Sequence, residues 1–186
     1  MTPEPYPTPW RWVDLGLPSG TLWLDRNVGA NSPADVGLYF MWGEILGRKE
    51  PLNINMEEYY ASLGLNSISA DITVQHDAAS YYYGNKFRMP SADEFNELIS
   101  QTTRIIEGNC IKLTSNLNGE SILLPISGIM RDNDFSYSDT VRAWAKTYYD
   151  ETYAYDLHTI SGSDRLFVGH TIPRYRCLPV RPVYNR

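Results

Sequence analysis

Pro90-Ser-Ala-Asp-Glu-Phe-Asn-Glu-Leu-Ile-Ser100, with the Cys110-Ile-Lys-Leu-Thr114, Asn116-Leu-Asn-Gly119 and Ser121-Ile-Leu-Leu-Pro125 that come after it, decides the fold class. Ser91 follows a proline and can cap the free N–H groups of a first helical turn, with Glu94 three residues on in capping-box register. Phe95, Leu98 and Ile99 then share one face at helical spacing, so this helix has an apolar stripe to bury. In Cys110–Thr114 the apolar positions alternate instead, as a half-buried strand requires. The Asn- and Gly-bearing turn sends the chain back through Ser121–Pro125 as a hairpin.

Toward the N-terminus, Thr21–Leu24 and Leu38–Trp42 are short apolar runs between Gly, Pro and Asn, and they are expected as strands. The stretch from Gly47 to Ala79 is polar and is expected to be an insertion rather than core, with Asn55 capping a short helix. Toward the C-terminus, Ala143–Thr147, Tyr153–Thr159, Arg165–Val168 and Leu178–Val183 are expected as four short strands, with Ser161-Gly162 as a tight turn. Tyr153, Tyr155 and Leu157 alternate like an inward strand face. A few helices before a β-rich antiparallel end give an α+β class. There is no internal repeat, so residues 10–186 are expected as one domain. Residues 1–9, with prolines at every second position from Pro3 to Pro9, are expected as a linker or edge, compatible with a longer precursor.

The chain has 186 residues, 42% hydrophobic and 20% charged, which suffices for an ordinary packed core and argues against disorder. Its distinctive feature is 14 tyrosines and 5 tryptophans. Tyrosine joins a rigid apolar face to a hydroxyl, so binding surfaces over-use it. A net charge of −6 works against a phosphate-backbone partner. Arg174, Arg176, Arg181 and Arg186 gather near the end, but prolines interrupt them and the run is too short to track a duplex. Nucleic acid is therefore not an expected partner. No segment approaches the roughly 18 apolar residues of a membrane span, so direct membrane insertion is not expected either. Cys110 and Cys177 form no metal or redox pair by spacing, and either one disulfide or two buried thiols fits the sequence.

Several ordered blocks carry a family resemblance. Val13-Asp-Leu-Gly-Leu-Pro-Ser-Gly-Thr-Leu-Trp23, Asn27-Val-Gly-Ala30 and Gly37-Leu-Tyr-Phe-Met-Trp-Gly-Glu44 resemble the opening of the major paralogous domain of Bacteroidetes and Fibrobacter surface proteins. Asp77-Ala-Ala79, Lys86-Phe-Arg-Met-Pro-Ser91 with Glu94-Phe95, and Arg181-Pro-Val183 continue the likeness in order. The resemblance implies a C-type-lectin-like fold of the formylglycine-generating-enzyme subtype. It is also similar to the variable proteins of diversity-generating retroelements, in which a fixed scaffold carries a rewritten C-terminal segment. The ending Arg176-Cys-Leu-Pro-Val-Arg-Pro-Val183 resembles the shared terminal strand of such segments, which places the variable stretch at 143–183. Where that family has a Tyr-Trp-Ser-Ser-Thr block, this chain has Ala143-Trp-Ala-Lys-Thr147, keeping Trp144 and Thr147 and losing the serines.

The function implied is non-enzymatic binding of a protein or glycan on a cell surface, by an extracellular protein of a bacterial surface or phage tail fibre. A fixed adhesin or surface-lipoprotein module of the same fold is the alternative. Tyr148, Tyr149, Asp150, Thr152, His158, Asp164, Leu166, Val168, His170, Tyr175 and Cys177 are the expected exposed ligand-binding set, mixing aromatic anchors with adaptable polar groups. Trp23 and Trp42 lie in scaffold blocks and are expected to be buried. No catalytic residue is expected, because His76, His158 and His170 stand alone and no nucleophile, zinc or phosphate-loop motif is present. The two closely spaced cysteines of formylglycine-generating enzymes are missing as well. No metal or cofactor is expected: the calcium-ligating triplets of sugar-binding lectins do not occur, and Asp132-Asn-Asp134 is expected as a solvated acidic loop.

Overall fold

The computed structural model describes residues 10–184, so the proline-rich stretch 1–9 lies outside the described residues. Strands β1 (Trp12–Val13), β2 (Leu22–Leu24) and β3 (Tyr39–Phe40) precede helix α1 (Met56–Ser62). Two single turns, Leu65–Ser67 and Val74–His76, lead to α2 (Ala78–Tyr83), β4 (Phe87–Arg88) and α3 (Ala92–Ser100). Strands β5 (Thr102–Glu107), β6 (Cys110–Ser115), β7 (Ser121–Pro125), β8 (Ile129–Met130) and β9 (Phe135–Ser136) follow. The C-terminal third holds β10 (Arg142–Tyr148), β11 (Ala154–Thr159), β12 (Leu166–Gly169), β13 (Leu178–Pro179) and β14 (Val183–Tyr184). The strand pairings are antiparallel, and short helices with antiparallel sheets make the class α+β.

Local signals are realised where the sequence is locally decisive. Ser91 and Glu94 form the full capping box at the start of α3. Asn55 Oδ1 accepts the Glu57 and Glu58 N–H groups at the start of α1. The β6–β7 hairpin is present and gains β5 as a third strand, with Glu107 opposite Cys110. Trp23, Phe95, Leu98, Leu113, Leu157 and Val183 share the core beneath α3. Trp42, Trp144, Phe40 and Leu178 belong to a second core cluster. There the Trp42 indole donates to the Ala145 carbonyl (2.8 Å) and the Trp144 indole to the Phe40 carbonyl (2.8 Å), a reciprocal tie between the end of β3 with the turn after it and β10. Thr147 accepts the Ala92 N–H (2.9 Å), which fastens β10 to the start of α3.

Two expectations change. Leu178–Val183 is not one strand. Pro179 and Pro182 cannot donate to a ladder, and the chain divides into β13, paired with β3, and β14, inserted between β2 and β4. Fully buried Arg181 turns inward between them. Nor is 47–79 a mere insertion, because Met56, Tyr60, Leu65, Ile72, Ala78 and Ala79 are all buried. The cysteines are two buried free thiols.

Candidate functional site

The C-terminal segment separates its side chains by depth. β10 ends at Tyr148, and Asp150 then closes a tight turn, its Oδ1 accepting the Thr152 (2.8 Å) and Tyr153 (2.6 Å) N–H groups. Asp150 is thereby a turn-former. The turn lifts Tyr149 outward, 43% exposed, and its ring stacks on His170 with centroids 3.5 Å apart and planes 11° off parallel. Tyr155 meets both rings edge-on, at 5.7 Å from Tyr149 and 5.5 Å from His170. Tyr155 is half-buried at the margin of the core, while Leu157, two residues on, is fully inside. The result is an aromatic platform with one face in the protein and one in solvent.

Arg174 lies under the same turn. It is 1% exposed, and its guanidinium sits 5.2 Å from the Trp42 ring, 5.8 Å from Tyr148 and 5.9 Å from Tyr60. Its Nη1 donates to the Ile68 carbonyl (2.7 Å), and its Nη2 to the carbonyls of Glu151 (2.7 Å) and Asn66 (3.2 Å). A cation enclosed by π faces and carbonyl dipoles thus binds the turn at 151 to the segment after α1. Tyr148 is part of this cage, half-buried against Trp42 and Arg174, and so is not the freely displayed residue the sequence suggests. Above the cage, Thr152, Glu151 and Tyr175 line a small cavity of about 160 Å³ against α1. Tyr175 and Glu57 also border a larger polar cleft of about 530 Å³ with Asn53, Asn55, Asn133 and Asp132.

Asp132 is engaged structurally. It accepts the Met56 N–H (3.0 Å) and pairs with Arg176 (3.0 Å). Partial burial pushes its carboxyl up, but these partners outweigh that and hold it below the usual carboxylate range. Among the described residues no group of three or more His, Cys, Asp or Glu side chains is placed to hold a metal ion.

The remaining expected residues do not join this surface. Leu166 is 4% exposed in the core under α3, and Val168 packs half-buried against the same cluster. Both follow from the period of two along β12, which turns positions 166 and 168 the same way. Cys177 is fully buried beside Met130, and burial pushes its thiol up to about 12. His158 lies on the other face of β11 from Tyr155, by the same alternation. Its Nδ1 is 3.1 Å from an oxygen of Asp156 without aligning as a hydrogen bond, and its ring faces Phe167. Asp156 is itself fully buried and reaches Arg142 at 3.3 Å. Asp164 is half-buried in the loop between β11 and β12. Of the expected set, the fold brings together Tyr149 with His170, and Thr152 with Tyr175. Sequence reasoning missed Arg174, Tyr60 and Glu151. The one available signal was a basic residue in the apolar, proline-bearing run Ile172-Pro-Arg174.

The chain matches no family model, no curated protein and no solved structure.

Proposed function

We propose that this domain is a non-enzymatic ligand-binding module with a C-type-lectin-like fold, the variable protein of a diversity-generating retroelement, displayed extracellularly on a bacterial surface or phage tail fibre. The observation that carries the reading is the separation by depth within 143–183. Trp144, Leu157, Leu166, Arg174 and Cys177 are locked inside, while Tyr149, Thr152, His170 and Tyr175 stand on loops above them. A surface that must accept many side chains needs such a division, because substitutions at exposed positions such as Tyr149 and Thr152 disturb the core packing least. The α+β class and the sequence blocks named above support the fold assignment. Among the described residues no helix is long and apolar enough to cross a membrane.

The test is sequencing of the gene's 3′ end and adjoining DNA across a population of the source organism. The reading expects substitutions at the codons of Tyr149, Thr152, His170 and Tyr175, matched to adenines of a nearby template copy, with Leu157, Leu166 and Arg174 constant. A second reading, a fixed surface adhesin of the same fold binding a glycan or protein, is favoured by the polar cleft. Six of its eight lining residues lie before residue 143. A uniform 3′ end without a template copy selects that reading.

A further inference from the structure

Across α1 from the Arg174 cage lies a hollow that the ligand face does not use. It has a volume of about 460 Å³ and opens between the 43–48 loop, α1 and the Val74–His76 turn. Leu46, Leu52 and Leu63 wall it and are 58%, 41% and 45% exposed. One solvated leucine needs no explanation, but three converging on one concavity form an apolar site open to solvent.

The hollow is built into the backbone. A Cβ at Gly43 would meet Ile68 Cδ1 at 2.6 Å, and one at Gly47 would meet the Phe40 ring at 2.6 Å. Glycines at both positions therefore let the loop lie flat on the core. The Tyr39–Arg48 bridge and the Glu44–Arg48 ion pair hold it there. Glu44 is further fixed by the Met41 N–H (3.0 Å), and Arg48 Nη1 points to Cys177 Sγ (3.2 Å). The charges on the floor thus neutralise each other, leaving no net charge to attract an ion. At the rim, His76 Nδ1 faces the Gly43 carbonyl at 3.2 Å. To make that bond Nδ1 must carry the proton, so the neutral ring presents Nε2 as an acceptor. Among the described residues the His76 ring bonds through Nδ1 alone, and Gln75 lines the hollow beside it.

We propose that this hollow is a second binding site, independent of the C-terminal face, for a compact uncharged apolar molecule carrying one hydrogen-bond donor. Its size, apolar walls and few convergent polar groups are those of a small-molecule pocket. The leucines cover the apolar body, and His76 Nε2 receives the donor.

The test uses indole, a bicyclic molecule with one N–H, and indene, its near-isostere without that donor, titrated into the whole chain by calorimetry and ligand-observed NMR. Indole binds saturably at one site, and indene more weakly. Leu52→Asp and Leu63→Asp, both at exposed positions, keep the melting temperature and weaken indole by about tenfold or more, as loss of apolar contact to a charged wall predicts. His76→Ala removes the difference between indole and indene, whereas Tyr149→Ala leaves both titrations unchanged. Absence of saturable indole binding, or binding indifferent to Leu52→Asp and Leu63→Asp, overturns the site. Indene binding as well as indole, or an indole–indene gap that survives His76→Ala, overturns the donor assignment.

Discussion

Arg181 and Arg174 belong to the same C-terminal run and are both buried to within 1% of complete, yet they hold different things. Arg181 donates to Asn27 Oδ1 (2.8 Å) and to the carbonyls of Leu24 (3.0 Å) and Leu123 (2.6 Å), all of them frame residues. Burial pushes its guanidinium down to about 10. Arg174 donates to loop carbonyls and otherwise rests among aromatic rings, with its Nε unpartnered. One arginine fastens the sheet that holds both the first and the last described strands. The other clamps the turn that lifts Tyr149. The comparison teaches that the sheet frame and the exposed turn at 149–153 are fastened separately, by chemically similar devices a short distance apart in sequence.

The sharpest way to break this distinction is to remove each fastener. Arg181→Met leaves Leu24 O and Asn27 Oδ1 without donors in a dry interior and Leu123 O without one at its margin, and orphaned buried groups cost far more than the bond they lost. Urea unfolding should show a loss of about 4 kcal/mol, in the range of disrupted buried charge networks. Arg174→Met leaves carbonyls that lie nearer the surface, where water can reach them, so the expected loss is smaller, about 2 kcal/mol. The two variants should also differ in place. Arg174→Met should speed amide hydrogen exchange at 66–68 and 150–153 while leaving 22–28 protected. Equal exchange profiles would show that both arginines serve one cooperative frame.

A third variant tests the frame from its other side. Glu94 completes the capping box while accepting both Arg88 guanidinium nitrogens (2.6 Å each) and the Thr21 hydroxyl (2.8 Å). Burial pushes its carboxyl up, but these partners outweigh burial and the net shift is downward. The unfolded chain therefore takes up the proton at a higher pH than the folded one. Glu94's contribution is complete above the unfolded value and fades as pH falls through the folded one. Glu94→Gln should cost about 1.5 kcal/mol at neutral pH, typical of lost charge-assisted bonds. That difference should shrink in melts below about pH 4.

How much of this was readable depends on how far apart the partners are. The α3 cap and the β6–β7 hairpin are written within a few residues, and both were legible. The cage around Arg174 gathers residues 42, 60, 66, 68, 148 and 151, which no period or spacing relates, so it stayed hidden. Leu166 and Cys177 are buried even though each lies beside a loop in sequence, so nearness to loops does not mark exposure there. Alternation from Leu166 to Val168 already pointed inward, and cysteine is among the most buried residue types. The split of β13 from β14 is signalled by Pro179 and Pro182, which cannot donate to a ladder. Tyr149 was legible as an exposed type, whereas His170 is half-buried and its stacking on Tyr149 was not legible.

That stack yields the smallest stability effect and the most informative one. Truncating Tyr148, Tyr149 and Tyr175 together would confuse display with support, because Tyr148 packs on Trp42 and Arg174. Tyr149→Ala alone removes a 43% exposed ring whose chief contacts are His170 and Tyr155. Its stability cost should be about 0.5 kcal/mol, near the surface-substitution range despite the lost ring pair. If Tyr149 is an anchor of the ligand face, the same change should weaken ligand binding by about 2 kcal/mol or more, as central aromatic anchors do. The unequal pair of numbers is the signature of a side chain held for display. A cost of several kcal/mol in the melt would instead place Tyr149 with Arg174 and Arg181 among the fasteners. The outer surface would then have to be sought at Tyr175, which borders both the polar cleft and the small cavity that Thr152 lines.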